Sequence, residues 1–294
     1  MMKCLVTGGA GFIGSHLVEE LLKQGHQVAV IDDLSSGRKE NLNPAAEFHQ
    51  ADLLQLAVIQ PLFKGVDWVF HCAALPRVQY SLEHPLESNR ANVEGTLNVL
   101  LAARDGGVKK FIYSASSSAY GNQTEMPLRE EMPANPVSPY GLQKYIGELY
   151  CRLFSDVYGL PTVSLRYFNV YGPRMSAEGA YATVIAIFLR QRQAGQSLTI
   201  TGDGQQRRDF TFVGDVVRAN LLAAENPQVG RGKVINIGSG RNYSVNQVAE
   251  MIGGPVVHIA PRLEPQESLA DISRAQELLG WQPAVALPDW LKTI

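Results

Sequence analysis

The sequence has 294 residues, of which 45% are hydrophobic and 18% are charged, a balance typical of a folded globular protein. Its length suits either one large α/β domain or two lobes. The formal net charge of −2 creates no broad positive field, so we expect neither nucleic acid nor membrane as a partner. No apolar stretch approaches the ~20 residues that a membrane-spanning helix requires. Cys4, Cys72 and Cys151 have the spacing of neither a disulfide framework nor a metal site, which predicts a reduced cytoplasmic protein without a bound metal.

Short apolar runs alternate with longer amphipathic stretches over the first half of the chain. The runs predict strands at residues 3–7, 27–32, 68–71, 110–114 and 162–167. The stretches between them predict helices at residues 14–24, 89–105 and 140–158. Strands that are apolar throughout and alternate with helices imply a parallel sheet covered on both faces. The predicted fold class is therefore α/β, with a Rossmann-type doubly wound parallel sheet.

After residue 171 the alternation loosens. Helices are predicted at residues 181–193, 213–225 and 245–252, and strands at residues 197–201 and 233–237. This partial alternation predicts a smaller, discontinuous α/β lobe over the mouth of the sheet. We assign residues 1–169, together with about 209–238, to the sheet domain, and about 170–208 with 239–294 to the smaller lobe.

Three glycines follow the first predicted strand directly and open the first helix. Gly8, Gly11 and Gly14 allow a tight turn, a close approach of the backbone to a pyrophosphate, and close packing of helix on strand. The second strand ends at Asp32, near the ~20-residue spacing expected for the acid that binds an adenosine ribose. Because a carboxylate there repels a 2′-phosphate, the pattern predicts NAD rather than NADP as the cofactor.

The ends of the next two strands offer further contacts for such a cofactor. Asp52 and Leu53 directly follow a further predicted strand, the third in chain order, where they are placed to meet the adenine. Small residues end the fourth strand and would let the cofactor lie close to the backbone: Cys72, Ala73 and Ala74. His71, just before them, is better explained as a structural histidine with satisfied hydrogen bonds.

Tyr140 and Lys144 stand four residues apart at the start of a predicted helix. Ser138 is a favourable N-cap and Pro139 suits the first helical position. One helical turn places the phenol and the ammonium on the same face. A phenol ionises near pH ~10, and a fixed cation beside it favours the phenolate, which suits a base for proton transfer at a hydroxyl or carbonyl. Taken alone, the same pair also fits a solvated helix face.

With these motifs on one chain, the sequence resembles the extended short-chain dehydrogenase/reductases. Within them it resembles the NAD-dependent epimerase/dehydratase family, and most of all its UDP-glucose and UDP-N-acetylglucosamine 4-epimerases. The resemblance extends almost from end to end, through motifs at residues 71–74, 114–121, 166–174, 207–210 and 268–275. Motifs in this order are highly specific for the family.

The resemblance implies a third catalytic residue, Ser116, four positions before the tyrosine of the Tyr120-Gly121 pair. Its hydroxyl would hydrogen-bond the reacting sugar oxygen and relay its proton to Tyr140. Lys144 would bind the nicotinamide ribose and lower the Tyr140 pKa. The resemblance also implies further NAD contacts, at Phe12, Ile13, Asp33, Ser36, Gly37, Asn92, Ser114, Tyr167 and Phe168.

Two serines, Ser117 and Ser118, stand where relatives with other reactions carry acids. Dehydratases and decarboxylases have a Glu two places before the Tyr-Gly tyrosine, and dehydratases add an Asp before it. Without such an acid no evident group protonates a leaving 6-hydroxyl, which favours C4 epimerisation through a transient 4-keto sugar. The alternatives left open are a UDP-glucuronate 4-epimerase, another nucleotide-sugar dehydratase or decarboxylase, and an inactive NAD(H)-binding sensor or scaffold.

The resemblance further implies residues that bind a UDP-sugar: Ser116, Ser117, Asn169, Ala182, Thr199, Arg208, Arg262 and Ser268. Among these, Arg208 and Arg262 suit bidentate contact with the diphosphate. The family has the pattern Arg-x-Gly-Asp at the position of Arg262, but the glycine is missing here. Glu264 or Glu267 is left as the acid for the nucleotide ribose.

Ser268 bears on the choice of sugar. In this family a bulky residue at its position restricts the pocket to plain hexoses, whereas a small residue leaves space for a 2-acetamido group. The resemblance therefore implies that UDP-GlcNAc and UDP-GalNAc fit as well as UDP-Glc and UDP-Gal.

Family members also pair two helices per subunit in a four-helix bundle. The helices predicted at residues 89–105 and 140–158 would supply them here, which implies a homodimer. Packing of these helices only within their own subunit is the alternative.

Overall fold

A computed structural model of the chain describes residues 1–76, 78–177, 183–261 and 265–294. In chain order its strands are β1 (Lys3–Thr7), β2 (Gln27–Asp32), β3 (Glu47–Gln50), β4 (Trp68–His71), β5 (Lys110–Ser116), β6 (Thr162–Tyr167), β7 (Val170–Tyr171), β8 (Leu198–Thr201), β9 (Arg207–Asp209), β10 (Thr211–Phe212), β11 (Lys233–Ile237), β12 (Asn242–Ser244) and β13 (Val256–Ile259). Its helices are α1 (Phe12–Lys23), α2 (Leu56–Ile59), α3 (Val78–Glu83), α4 (Pro85–Asn89), α5 (Gly95–Asp105), α6 (Pro139–Tyr158), α7 (Val184–Gln193), α8 (Val213–Glu225), α9 (Val245–Ile252), α10 (Ser273–Leu279) and α11 (Leu287–Leu291).

A parallel sheet of seven strands forms the centre of the fold, in the order β11-β6-β5-β4-β1-β2-β3. The strand order reverses at β1, which pairs with β2 on one side and with β4 on the other. All residues of β4 and β6 are buried, as expected for strands covered by helices on both faces. The predicted fold class is confirmed, and ligands of such sheets bind at the carboxyl ends of the strands around the reversal.

Apolar side chains from the helices cover both faces of the sheet. On one face, Leu17 and Leu21 of α1 pack with Val216 of α8. On the other face, Leu100 of α5 packs with Phe154 of α6. These two layers fix the helices against the sheet and thereby fix the loops at its carboxyl edge.

Two helices begin earlier than the sequence pattern predicts. Helix α1 begins at Phe12 because Gly11, with an extended backbone, serves as its N-cap. The predicted helix at residues 89–105 begins with α4 at Pro85, since proline suits the first helical turn, and continues through a π-helical turn at Arg90–Glu94 into α5. Helix α6 begins as predicted, with the Ser138 hydroxyl accepting a 3.1 Å hydrogen bond from the Gly141 amide.

A separate apolar cluster forms the core of the smaller lobe. Phe188 of α7, Ile200 of β8 and Val248 of α9 are buried there. Strand β8 pairs in parallel with β13. The residue boundaries assigned to the two domains stay a prediction.

Candidate active site

A cleft of about 1070 Å³ lies at the carboxyl edge of the sheet and is also lined by residues of the smaller lobe. This volume slightly exceeds the ~300–1,000 Å³ typical of sites for drug-sized ligands, so a larger ligand fits. The predicted cofactor contacts that line it are Gly8, Gly11, Phe12, Ile13, Gly14, Asp32, Asp33, Ser36, Asp52, Leu53, Cys72, Ala73, Ala74, Tyr140 and Tyr167. The predicted substrate contacts that line it are Ser116, Ser117, Asn169, Thr199, Arg208 and Ser268.

Two glycines, one in the loop between β1 and α1 and one in the first turn of α1, do not accommodate a side chain. Gly8 has a φ of +72°, a conformation that favours glycine. A Cβ atom on Gly14 would lie 2.2 Å from the carbonyl oxygen of Gly8. The loop therefore keeps the N-terminus of α1 and its backbone amides open to the cleft, an arrangement that binds phosphate groups.

The Asp32 carboxylate lies beside this loop at the end of β2. Its Oδ2 accepts a 2.9 Å hydrogen bond from the Ala10 amide, and its Oδ1 accepts one of 2.9 Å from the Leu34 amide. Burial raises the pKa of Asp32, and the two amides oppose that effect. A Cβ atom on Gly37 would lie 2.8 Å from Oδ1, so glycine there leaves the carboxylate uncrowded.

Five predicted cofactor residues do not line the cleft: Gly37, Asn92, Ser114, Lys144 and Phe168. Asn92 is buried and holds the loop after β4, because its amide group bonds both the amide and the carbonyl of Leu75, at 2.7 and 3.1 Å. Phe168 packs with Tyr120 in an apolar cluster. Both side chains support the cleft wall from behind, and contact between them and NAD stays a prediction.

Lys144 lies behind the cleft wall that Tyr140 lines. Its Nζ donates a 2.8 Å hydrogen bond to the carbonyl oxygen of Ser114 and lies 4.9 Å from the centre of the Tyr113 ring. The residue is 4% exposed, and burial lowers its pKa to about 8. At neutral pH the ammonium is therefore still mostly protonated, one helical turn from Tyr140.

Ser116 ends β5 and lines the cleft. Its hydroxyl accepts a 3.2 Å hydrogen bond from the Ser118 amide and shares a short one with the Ser118 hydroxyl. Ser117 and Ser118 line the cleft as well. Ser118 thus occupies the position that carries Glu in dehydratases. Its hydroxyl contacts the Ser116 hydroxyl directly, so these two positions carry two hydroxyls and no acid.

His71 is a structural residue, as the sequence suggested. Its Nδ1 lies 2.7 Å from the Thr7 hydroxyl and its Nε2 lies 2.8 Å from the Thr96 hydroxyl. Because the Thr96 hydroxyl donates its proton to the Asn92 carbonyl, it must accept from Nε2, which fixes the Nε2–H tautomer. Burial lowers the pKa of His71 to about 3, so the ring is neutral.

Three residues predicted to bind the UDP-sugar, Asn169, Arg208 and Ser268, lie at or beside β9. Asn169, with a φ of +22°, donates from Nδ2 to the Asp209 carbonyl at 2.8 Å and to the Ser268 hydroxyl at 3.4 Å. Arg208 donates to the Arg207 carbonyl at 2.9 Å. These bonds hold Asn169 and Ser268 together on the same cleft as Tyr140.

Three residues named from the sequence, Ala182, Arg262 and Glu264, lie outside the described residues. Glu267, the other candidate acid for the nucleotide ribose, lines the cleft. Its Oε1 accepts a 2.7 Å hydrogen bond from Asn242. Of the two candidate acids, the described part of the chain thus brings Glu267 to the cleft.

Sequence reasoning missed Arg174, which lines the cleft after β7. Its guanidinium donates a 3.2 Å hydrogen bond to the Ser15 hydroxyl and forms an ion pair with Glu19, both on α1. The sequence places it directly after Gly172 and Pro173, where the regular alternation of strands and helices ends. A cation directly after two such residues at a strand end is the signal that could have found it.

Two further features are absent from residues 1–76, 78–177, 183–261 and 265–294. No cluster of His, Cys, Asp and Glu there is arranged to hold a metal ion. No helix in these ranges is both long and apolar enough to span a membrane.

Residues 4–238 match the sequence model of the NAD dependent epimerase/dehydratase family. The chain belongs to this family. Membership confirms the predicted NAD cofactor and agrees with the glycine loop and Asp32 at the cleft. A UDP-glucose 4-epimerase of Mycolicibacterium smegmatis is 41% identical over 310 residues, which cover 100% of this chain and 97% of the relative.

Solved structures of the family have the same fold. A UDP-glucose 4-epimerase of Thermotoga maritima, solved with UDP-glucose, superposes with a TM-score of 0.95 at 42% identity, over 99% of this chain and 96% of that one. A UDP-N-acetylglucosamine 4-epimerase of Methanobrevibacter ruminantium, in complex with UDP-N-acetylmuramic acid, superposes with a TM-score of 0.94 at 38% identity. The match covers 99% of this chain and 96% of that one. The similarity to these two structures therefore extends over 99% of the chain.

Proposed function

We propose that the chain is an NAD-dependent 4-epimerase of UDP-hexoses. The observation that carries the proposal is that one cleft contains the glycine loop, Tyr140 and Ser116, with a serine rather than an acid in contact with Ser116. Relatives named UDP-glucose and UDP-N-acetylglucosamine 4-epimerases, similar over nearly the whole chain, support it.

The residues of the cleft fit NAD. The glycine loop and the N-terminus of α1, which line the cleft, suit the pyrophosphate, and the Asp32 carboxylate suits the adenosine ribose. Tyr140 and Lys144 would hold the nicotinamide ribose. When bound, NAD supplies reversible hydride exchange with C4 of the sugar.

Tyr140 is the proposed acid–base residue. Its phenolate would take the proton from the sugar 4-hydroxyl and later return it to the same oxygen, after the sugar has turned its other face. The charge on Lys144 favours that phenolate, and the Ser116 hydroxyl would orient the reacting oxygen. Arg208 and Asn169 would hold the diphosphate, about which the sugar turns.

A product assay tests the proposal directly. The holoenzyme is mixed in separate samples with UDP-glucose, UDP-GlcNAc and UDP-glucuronate, and the sugar protons are followed by NMR. We expect the C4 epimers of the first two, with no loss of water or carbon dioxide. Products of dehydration or decarboxylation, or bound NAD with no turnover of any sugar, would reject it.

Ser268 supports acceptance of acetylated sugars. It lines the cleft with a small side chain and contacts Asn169. A 2-acetamido group requires space that a bulky residue at this position would fill. We therefore propose that UDP-GlcNAc and UDP-GalNAc are substrates alongside the plain hexoses.

Replacing Ser268 by tyrosine should close that space selectively. We expect kcat/KM for UDP-GlcNAc to fall by about 10²-fold, the cost of a few kcal/mol of steric conflict in the transition state, while UDP-glucose changes much less. Ser273→Tyr, at an exposed site away from the cleft, is the control. Undiminished turnover of UDP-GlcNAc by Ser268→Tyr would show that Ser268 does not set sugar choice.

We also propose a homodimer formed through α6 and the helix that runs from α4 into α5. Leu149, Leu153 and Val157 recur every four residues along α6 and are 48%, 48% and 61% exposed. Leu86 on α4 is 83% exposed. A second copy of the chain would cover these side chains, which otherwise form an apolar stripe in water.

Glutamates at positions 149 and 153 should separate such a dimer. Burying two carboxylates in an apolar interface is strongly unfavourable, so we expect Leu149→Glu/Leu153→Glu to elute as a monomer in size-exclusion chromatography with light scattering. Val58→Glu, on α2 and 52% exposed in the wild type, should leave the mass unchanged. A wild-type monomer, or a dimer that survives both glutamates, would contradict the proposal.

The cytoplasmic location also stays a proposal. Cys4, Cys72 and Cys151 are free thiols. Burial raises the pKa of Cys4 to about 12 and that of Cys151 still further, so both are poor nucleophiles. Such thiols suit a reducing compartment.

A further inference from the structure

A buried ion pair connects the catalytic helix with the neighbouring strand. Arg166 of β6 donates from Nε and Nη2 to the two carboxylate oxygens of Glu148 on α6, at 2.8 and 2.6 Å. The two side chains are 4% and 2% exposed. Glu148 lies one helical turn beyond Lys144, on the same face of α6.

The same arginine also contacts the segment that follows Ser116. Its guanidinium carbon lies 4.4 Å from the centre of the Tyr120 ring. The Tyr120 hydroxyl in turn donates a 2.7 Å hydrogen bond to Asn236, the residue paired with Arg166 on the next strand. Tyr120 follows the turn at residues 117–119, directly after Ser116. Arg166 thus joins α6 to the loop that carries the serines.

Stability alone does not explain this pair. Removing two charges from water is costly, and apolar residues of similar volume often replace a buried ion pair without loss of stability. The bidentate geometry and the stacked aromatic ring do fix the relative position of the groups involved. The pair is therefore better suited to alignment than to stability.

Glu148 also supplies charge to the surroundings of Lys144. The other ionisable groups that face Lys144 are His71, Cys72, Tyr113, Tyr140 and Cys151. Burial lowers the pKa of His71 and raises those of Cys72, Tyr113 and Cys151, so these four are neutral near pH 7. Burial lowers the pKa of Lys144, and negative charge at Cys72, Cys151 or Glu148 opposes that effect. Burial raises the pKa of Glu148, but its hydrogen bonds to Arg166 favour the carboxylate, which makes it the charged member of the three near pH 7.

We infer that Glu148 and Arg166 are positioning residues of the proposed reaction: they align Lys144 with the Ser116 loop and place a carboxylate one helical turn from the lysine ammonium. The inference rests on the proposed function for its kinetic part. Neither side chain lines the cleft, so both act through Lys144 and through the loop.

The test uses the NAD holoenzyme and compares Glu148→Gln with wild type. Loss of the carboxylate should lower the titration midpoint of the Lys144 ammonium by about one pH unit, because a neighbouring opposite charge is removed. The alkaline limb of the kcat profile should shift to lower pH by the same amount. At neutral pH we expect kcat to fall by about 10²-fold with little change in KM, the effect of a small misalignment.

Nitrogen-15 NMR of the lysine side chains reads the Lys144 midpoint whether or not any sugar is turned over. Lys144→Met assigns the resonance. If wild type turns over no UDP-sugar, the proposed function fails, while the midpoint still tests the inference. Glu20→Gln, which removes an exposed glutamate paired with Lys23 on α1, should change neither midpoint nor kcat.

Two further variants keep the test decisive if Glu148→Gln does not fold. Glu148→Asp keeps the negative charge, but its shorter side chain moves the carboxylate away from Arg166. The Lys144 midpoint should therefore stay near the wild-type value while kcat falls. Glu148→Gln/Arg166→Met removes both charges and should fold, with kcat still low. A folded variant without the carboxylate that retains wild-type midpoint and kcat would overturn the inference, since a purely structural pair predicts that result.

Discussion

Tyr140→Phe is expected to lower kcat of the proposed epimerisation by about 10²–10⁴-fold, the usual contribution of a general acid–base group. The substitution keeps the ring that lines the cleft and removes the hydroxyl that would exchange the proton. Lys144 remains protonated behind it but has no phenolate to stabilise. Because the loss falls on the chemical step, KM should change little. Initial rates with UDP-glucose and UDP-GlcNAc measure it.

The matched control is Tyr158→Phe at the other end of α6. Tyr158 is 49% exposed and lies outside the cleft, so its loss should leave kcat unchanged. Both variants should retain NAD, which absorbance of the purified protein checks. Near-normal turnover by Tyr140→Phe would show that another group exchanges the proton.

Gly14→Ala is expected to damage both folding and NAD binding. The added Cβ atom would lie 2.2 Å from the Gly8 carbonyl oxygen and 3.0 Å from the Gly9 Cα atom, so the backbone itself must move. Overpacking of this kind costs ~1–3 kcal/mol. Each ~1.4 kcal/mol of this cost that destabilises the NAD-bound protein relative to the free protein weakens NAD binding about tenfold. Thermal unfolding with and without added NAD separates the two effects.

Gly230→Ala provides the control for this substitution. A Cβ atom there meets its nearest neighbour, Pro161, at 3.7 Å, which is ordinary contact. Its melting temperature and NAD affinity should match wild type. A Gly14→Ala protein with wild-type melting temperature and NAD affinity would contradict this expectation. It would show that the backbone of Gly8 and Gly9 moves aside without loss of stability or of NAD binding.

Most of the sheet could be predicted from sequence because its central strands are largely apolar, whereas the edge strand β3 is mostly polar. The predicted strands at residues 3–7, 27–32, 68–71 and 162–167 have the bounds of β1, β2, β4 and β6. Strands β9, β10 and β12 have two or three residues, too few for a periodic signal. They form by pairing with distant partners, β10 with β7 and β12 with β9, which local patterns do not encode.

The site was only partly predictable for the same reason. Helical spacing predicted that Tyr140 and Lys144 share a face of α6, but not that the ammonium is buried. Its partners, the Ser114 carbonyl and the Tyr113 ring, belong to β5 and meet α6 only in the folded protein. The ion pair between Arg174 and Glu19 likewise joins segments far apart in the chain. Local sequence supplies the reactive groups, whereas tertiary packing decides their charge.

The cleft takes its residues from almost the whole chain, from Gly8 near the start to Ser268 near the end. A ribosome therefore releases the glycine loop long before Ser268. During synthesis the segments for the cofactor emerge first, and those for the sugar follow. A chain that terminates early between them carries the nucleotide loop without a complete sugar pocket, so translation itself delays activity until the last segment has joined the fold.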